Sequence, residues 1–326
     1  MQAMTAPRQN PLAGVLWMLA TGLLFVAVNV IVKSVGTSLP APEAAFLRFV
    51  AGLILLSPVL PRLIRARPGK KALALFGARG LFHTMAVMAW FFAMARIPLA
   101  EATAMNYMSP VYVTLGAALF LGERLAARRL IAVGVALLGV VIILRPGFRE
   151  LSSGHYAQLF ATLSFAGSFL VAKRLASEVP PSVVVAALSV AVTLGLLPFA
   201  ISVWVPPSLS QALWLGAVAV FATSGHYTMA RAFAVAPISV TQPVTFLQII
   251  WAVLFGVILF DEPVDLWVIV GGTIIVAAVS FIAWREALLK RRVGAHLALT
   301  DSNTLATSQP DQGKNNGSAR TANRQN

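Results

Sequence analysis

The 326-residue chain contains no cysteine, which excludes disulfide scaffolding, thiolate metal ligation and a cysteine nucleophile. Charge is nearly as scarce. Only 11% of residues are Asp, Glu, Lys or Arg, against roughly 25% in a soluble domain, so this mixture cannot build a water-facing surface. Acids are the scarcer sign, 11 against 25 Lys and Arg. They are Glu43, Glu101, Glu123, Glu150, Glu178, Asp261, Glu262, Asp265, Glu286, Asp301 and Asp311. None falls at the centre of an apolar run, which leaves a carboxylate proton relay without a candidate. Alternation at period two is also missing, so barrel strands are excluded. There is no Walker A loop, and no H-E-x-x-H, paired-acid or Ser–His–Asp set stands within an apolar run. No catalytic residue, metal site or cofactor is therefore expected.

What remains is apolar: 58% of residues are hydrophobic and the mean hydropathy is +0.81. Apolar runs lie at 11–32, 41–60, 72–95, 99–121, 128–144, 155–176, 181–203, 210–233, 237–260 and 264–284. Each has the roughly 17–25 residues that a helix needs to cross hydrocarbon. The first is too long for the apolar region of a cleaved leader and reads as a retained span. The expected fold is an all-α integral membrane protein of about ten transmembrane helices.

The net charge of +14 would suit a nucleic-acid binder if the cations shared one face. Instead they sit in short clusters between runs, so no nucleic-acid partner is expected and the clusters are read as orienting the chain. With the amino terminus inside, the cytoplasmic segments hold Arg8; Arg62, Arg65, Arg67, Lys70 and Lys71; Arg124, Arg128 and Arg129; Lys173 and Arg174; and Arg285, Lys290, Arg291 and Arg292. The opposite side keeps Lys33, Arg96, Arg145 and Arg149. Both termini are thus expected in the cytoplasm, with the basic loops against anionic lipid headgroups. The working unit is expected to be a monomer or homodimer.

A layout then repeats. Residues 96–124 run through a turn at Ile97-Pro98, an apolar helix interrupted by Pro110, and a stop at Gly122-Glu123. Residues 234–262 follow the same plan, and an ungapped overlay sets Pro98 on Pro237 and Glu123 on Glu262. Glu123 is followed by the basic stretch Arg124–Arg129, whereas Glu262 is followed by Pro263–Leu266 with no cation. The same landmark keeps opposite charge company, as two halves of five spans inserted in opposite senses require. The expected organisation is a cytoplasmic tail (1–10), a first repeat of five helices (11–147), a second (154–284), and a basic then disordered cytoplasmic tail (285–326).

Polar groups at mid-depth in a bilayer are costly and mark candidate sites. They are Asn29, His83, Asn106, Tyr107, His226, Tyr227, Gln242 and Gln248, with Trp90 and Trp251 as possible aromatic walls. Asn29, Asn106 and Gln248 serve equally as interhelical hydrogen-bonders, and the two histidines as packing residues. Imidazoles also titrate near neutral pH, so the pair allows proton coupling. Pro110 and Pro243 each remove a helix hydrogen bond and mark a hinge or an ordinary kink. Arg48 and Arg79 lie inside spans. Snorkelling explains both, a structural pairing of Arg48 with Glu43 or Glu101 is open, and so is contact with an anionic solute. Glu123 and Glu262 read as helix-end caps.

The order ARGLFHTMAVMAWFFAMARIPLAEATAMNYMSPVYVTLGAALFLGERL, followed by RRLIAVGVALLGVVIIL, resembles the first EamA-type repeat of the drug/metabolite transporter superfamily. The stretch from about Gly154 to Trp284, ending FLQIIWAVLFGVILFDEPVDLWVIVGGTIIVAA, is similar to the second. The resemblance covers all but the tails, and its motif lies at Pro110 and Gly122-Glu123. Two departures stand out: Asp261-Glu262 replaces Gly122-Glu123, and Gln248-Ile249 replaces Ser109-Pro110, which moves the second break toward Pro243. The resemblance implies ten helices in two inverted five-helix halves around a central cavity. It also implies transport of amino acids, amines, nucleotide-like metabolites, vitamins or drugs across the inner membrane. The expectation is an alternating-access permease working as a facilitator or exchanger, its cavity lined by spans three, four, eight and nine. The rival readings are an intramembrane enzyme on a lipid-linked substrate and a non-transporting scaffold.

Overall fold

In hydrocarbon a backbone amide finds no water, so a spanning chain must close its hydrogen bonds within itself, and a helix does this locally. The computed structural model describes residues 10–307 except 37, 59, 67, 122–126, 149, 176–180, 237–240, 242–243 and 245–246. Among the described residues the regular structure is helical: α1 (Pro11–Gly36), α2 (Ala41–Leu55), α3 (Leu60–Ala66), α4 (Lys70–Met94), α5 (Leu99–Asn106), α6 (Ser109–Leu121), α7 (Ala127–Leu144), α8 (Ser153–Leu175), α9 (Pro181–Ser202), α10 (Leu209–Val235), α11 (Leu247–Phe260) and α12 (Leu266–Thr307). With α2 and α3 as one pass, and α5 and α6 as another, these are the ten spans read from the apolar runs.

The surface pattern is inverted relative to a soluble protein. Large apolar side chains such as Leu119, Phe120, Ile131, Leu194, Ile201 and Leu213 point outward, while Glu43, Arg79, Glu101, His155, Gln158 and Thr162 are buried. Lipid is the solvent that such a surface fits. α1, α4, Val183–Ser202 of α9 and Leu266–Arg285 of α12 are each long and apolar enough to cross a bilayer unaided.

Small residues let the helices approach closely, and the contacts reveal their directions. A Cβ on Gly80 would meet Ala191, and one on Gly195 would meet Thr84. The numbers rise together, so α4 and α9 are parallel. The broken span α5–α6 also runs parallel to α8, from Glu101 at His155 to Gly116 at Leu170. α1 and α10 are antiparallel, with Thr21 bonded to Thr228 at 2.9 Å and Phe25 against Gly225. Most telling are α7 and α12, the last spans of the two halves. Gly139 faces Ile275 while Gly271 faces Ile143, so these equivalent spans run in opposite senses. The halves are inverted.

They also interlock. α1 of the first half packs along α10 of the second, and α4 of the first along α8 of the second. Exchanging each span for its counterpart turns one contact into the other. α2 packs on α9, its own counterpart, and the α4–α9 contact mirrors α2–α10. A two-fold relation between the halves produces this pattern, and it puts the middles of α1, α2, α4, α8 and α10 around one axis.

Two expectations are corrected. The fourth run is not one kinked helix: α5 stops at Asn106 and α6 starts at Ser109. Tyr107 and Met108 close the gap with short i→i+3 bonds to Ala104 and Met105, at 3.2 and 3.0 Å. The carboxyl-terminal tail, expected to be disordered from about Thr300, is helical through Thr307. Its residues 285–299 are mostly Ala, Leu, Lys and Arg, strong helix formers. The described residues from Trp284 onward form a unit of their own.

The glycine crossing can be tested. A Cβ at Gly271 would lie 2.5 Å from the Gly139 carbonyl oxygen, whereas one at Gly134 meets nothing within 4 Å. Gly271→Ala is expected to destabilise the protein by about 1–3 kcal/mol through overpacking, read as a lower Tm in detergent. Gly134→Ala should hold or raise the Tm. An unchanged Tm for Gly271→Ala contradicts the crossing.

Candidate functional site

The middle of the bundle collects one polar cluster. His83 projects from α4 and sits with Nδ1 3.2 Å from Ser168 Oγ of α8. Its ring stands edge-on to Phe165, with centroids 5.2 Å apart at 72°. His226 of α10 makes the mirror contact with Phe25 of α1, at 5.1 Å and 74°. Each histidine thus leans on a phenylalanine of the opposite half, and the halves exchange equivalent pairs. His226 keeps an accessible face.

Arg48 joins them. It is the middle residue of the fifteen in α2, and its guanidinium carbon lies 4.1 Å over the ring of buried Phe49. The same ring meets His83 edge-on at 6.1 Å. Arg48 lies within electrostatic reach of both histidines. Two residues singled out from opposite halves are therefore brought to one place, and a cation from a third span is added.

Neither pairing considered for Arg48 forms. Glu43 is buried and accepts the Val205 backbone N–H at 3.0 Å through Oε2. Glu101 Oε2 is 2.8 Å from His155 Nε2. His155 Nδ1 accepts the Ser152 N–H at 3.0 Å, so Nε2 carries the proton and donates to Glu101. Geometry explains the failure for Glu43: five positions before Arg48, it points from a different face of α2. Snorkelling fails for both arginines. Arg48 lies over a buried ring, and Arg79 is buried and donates from Nη1 to the Val184 carbonyl at 3.2 Å, tying α4 to α9.

A second, looser group lies nearer the distal end, where α1 finishes. Asn29 Nδ2 reaches Thr103 Oγ1 at 3.4 Å, and Tyr107 OH reaches Gln248 Oε1 at 3.5 Å. The latter contact links the break in the fourth span to α11. Asn106 is exposed beside the break, where Pro110 has no N–H to offer its carbonyl. Trp90 and Trp251 are half-buried and pack on their helix neighbours Phe91 and Phe255. Tyr227 is exposed and does not join the central cluster. Gln242, Pro243 and Glu123 lie outside the described residues.

The distal end itself is tied by charge. Lys33 Nζ at the end of α1 is 2.8 Å from Glu262 Oε1 and donates to the Ile97 carbonyl at 2.7 Å. Glu262 Oε2 accepts the Leu99 N–H at 2.8 Å. It thereby caps α5, where a negative charge also favours the helix dipole. Asp261, at φ +53°, makes the left-handed turn that aims Glu262 back. Asp265 pairs with Arg145. The strap joins both halves, and a cavity of about 210 Å³ lies beside it between Pro98, Glu101, Val253, Glu262 and Val268.

The contribution of α8 was not read from sequence. His155, Gln158, Thr162, Phe165 and Ser168 all face inward, and His155, Gln158, Thr162 and Ser168 are buried. Their spacing of three and four residues is the signature of one helix face. The signal was present, but serine and threonine in a membrane helix are ordinarily discounted as self-bonding.

Comparison with known proteins agrees with this architecture. A solved crystal structure superposes with a TM-score of 0.56 at 20% identity, covering 83% of this chain and 98% of the other, a likeness of fold alone. The riboflavin transporter of Vibrio cholerae serotype O1 is 29% identical over 87% of this chain and 97% of its own. The pseudopaline exporter CntI of Pseudomonas aeruginosa is 29% identical, over 82% and 94%. The S-adenosylmethionine uptake transporter of Rickettsia prowazekii is 24% identical, over 84% and 94%. The profile of the EamA-like transporter family matches twice, at residues 12–145 and 152–284. With ten helices in two inverted repeats and both repeats matched, the chain belongs to the EamA-like transporter family and is a multi-pass membrane transporter of small molecules, not an enzyme.

Proposed function

We propose that the chain is an alternating-access carrier for a small organic metabolite. Its site is the space around Arg48, His83 and His226 between the two halves. The observation that carries this reading is the exchanged pair of histidine–phenylalanine contacts, which sets ionisable groups of both halves at the centre of the bundle. Mid-bilayer groups of this kind mark solute pathways. Asn29, Tyr107 and Gln248, tied across α1, α5 and α11, extend the polar track toward the distal end. Trp90, Asn106 and Trp251 border it, and the break before Pro110 provides a hinge.

The clustered cations support an orientation with both termini in the cytoplasm of a cell whose inner (plasma) membrane holds the protein. In that orientation the Lys33–Glu262 strap closes the outer end, and the basic loops rest on anionic headgroups. The lack of a mid-span carboxylate favours a facilitator or exchanger. Relatives are named for uptake and for export.

Reconstituted vesicles test the reading. Purified protein should give saturable counterflow of one solute class from a panel of amino acids, amines, nucleosides and vitamins. His83→Ala and His226→Ala should each lower that flux by about tenfold, the loss of one polar contact worth about 1.4 kcal/mol. Absence of solute-specific flux in either direction would count against a carrier. Flux untouched by both variants would move the site elsewhere.

The strap makes its own prediction. Glu262→Gln leaves Lys33 without its counter-charge, a loss of about 1.5–3 kcal/mol for a charged hydrogen bond. The closed outer end should then open more often. Because the chain has no cysteine, a single Val253→Cys can report this. Its labelling by an impermeant maleimide added outside should rise several-fold in the Glu262→Gln background. Equal labelling in both backgrounds would show that the strap does not hold the gate.

A further inference from the structure

We propose that Arg48 is the counter-ion of the cargo, and that the central site takes a planar aromatic or heteroaromatic solute bearing an oxyanion such as a carboxylate. This deepens the carrier reading and rests on it.

A guanidinium at the middle of a membrane helix is costly even by lenient insertion scales, so it persists only with a partner or a route to water. Arg48 stands seven residues from either end of α2, about 10 Å at the helical rise. It does not reach along the helix toward a headgroup, because its guanidinium lies over the buried Phe49 ring. That contact offsets part of the charge but satisfies none of the five N–H donors. Among the described residues Arg48 makes no hydrogen bond and no ion pair.

The protein does not supply the missing anion. The acids toward the distal end are directed elsewhere: Glu43 accepts the Val205 N–H through Oε2 and leaves its buried Oε1 without a partner, Glu101 meets His155, Glu262 meets Lys33 and Leu99, and Asp265 meets Arg145. No other acid in the sequence falls within the middle of a span. Arg79, the other arginine within a span, is buried with Nη1 on the Val184 carbonyl and Nε without a partner. Arg48 differs from it in having no such acceptor and in facing accessible space.

The neighbours define the rest of the solute. His83 and His226 can each donate a hydrogen bond to an oxyanion, and neither adds negative charge. Phe25, Phe49 and Phe165 surround them with ring edges and faces. Such rings would stack on a planar body, with its anionic group forked on the guanidinium.

Three isosteric probes separate the charge from the ring: indole-3-acetate (anion), indole-3-acetamide (neutral) and tryptamine (cation). Each is titrated into the purified full-length protein and read by thermal shift and calorimetry. The acid should bind at least tenfold more tightly than either the amide or the amine. Arg48→Gln should bring acid and amide within about threefold of each other while the ligand-free Tm stays near wild type. Should Arg48→Gln fail to fold, Arg48→Lys must keep the acid preference with weaker affinity, because it retains charge without the fork. Equal binding of acid and amide by the wild type, no binding of any probe, or an acid preference that survives Arg48→Gln overturns the proposal.

An anionic lipid headgroup is the other source of an oxyanion. In nanodiscs, phosphatidylglycerol that abolishes the acid preference seen in phosphatidylcholine, and stabilises wild type but not Arg48→Gln, would assign the arginine to lipid and overturn it too. The carrier reading fails separately. Acid-selective binding without flux in vesicles sinks the carrier and keeps the anion site, whereas flux of neutral solutes indifferent to Arg48→Gln does the reverse.

Discussion

A bilayer core offers no hydrogen-bond partner, and every feature of this protein follows from having to supply its own. Backbone groups are closed by helices. Where Pro110 removes a donor, the chain makes a clean break with short i→i+3 bonds at Tyr107 and Met108. Many buried side chains find a partner in the same way: Thr21 on Thr228, Arg79 Nη1 on Val184, Gln158 Nε2 on Ala102, His155 between Ser152 and Glu101. Against that background Arg48 is conspicuous, because its only specific contact among the described residues is an aromatic face.

Duplication with inversion explains how the central cluster arises. A group at mid-span in one half is carried by the pseudo-two-fold relation to a counterpart facing it from the other. The His83–Phe165 and His226–Phe25 contacts are such a pair, nearly equal in distance and angle. The relation is approximate, and the departures are where the two ends differ. The fourth span of the first repeat ends in Gly122-Glu123, that of the second in Asp261-Glu262. In the second, the left-handed Asp261 swings Glu262 back onto Lys33 and the first turn of α5. One copy of the landmark has become a strap across the halves.

Much of this was legible in the sequence, for identifiable reasons. The spans are fixed by run length and the inversion by an odd number of spans with opposite charge company at Glu123 and Glu262. The two histidines stood out because a polar ring in hydrocarbon demands a cause. The break was expected at Pro110 yet appears after Asn106, since a proline removes the bond to the carbonyl four residues before it and its ring crowds that carbonyl. The surroundings of Arg48 are not legible in the sequence, because only the structure shows that Glu43 leaves α2 toward Val205 and that Glu101 is held by His155. The α8 stripe was passed over because Thr162 and Ser168 look like self-bonding residues until His155 and Gln158 are seen on the same face. The helices lining the centre were expected to be spans three, four, eight and nine. The central cluster draws on spans three and eight together with one, two and six, which the interlocking of the halves brings inward, while four and nine meet nearer the distal end at Tyr107 and Gln248.

A central site shared by the two halves requires two related bundles that cross the membrane in opposite senses. Leu121 and Phe260 each stand two residues before the matched glutamates at 123 and 262, and the absence of native cysteine makes single-cysteine variants at these positions clean reporters. With an impermeant thiol reagent applied to sealed vesicles of known orientation, cysteines at positions 121 and 260 should react from opposite sides of the membrane. Reaction of both from the same side would contradict the inverted arrangement and, with it, a central site shared by the two halves.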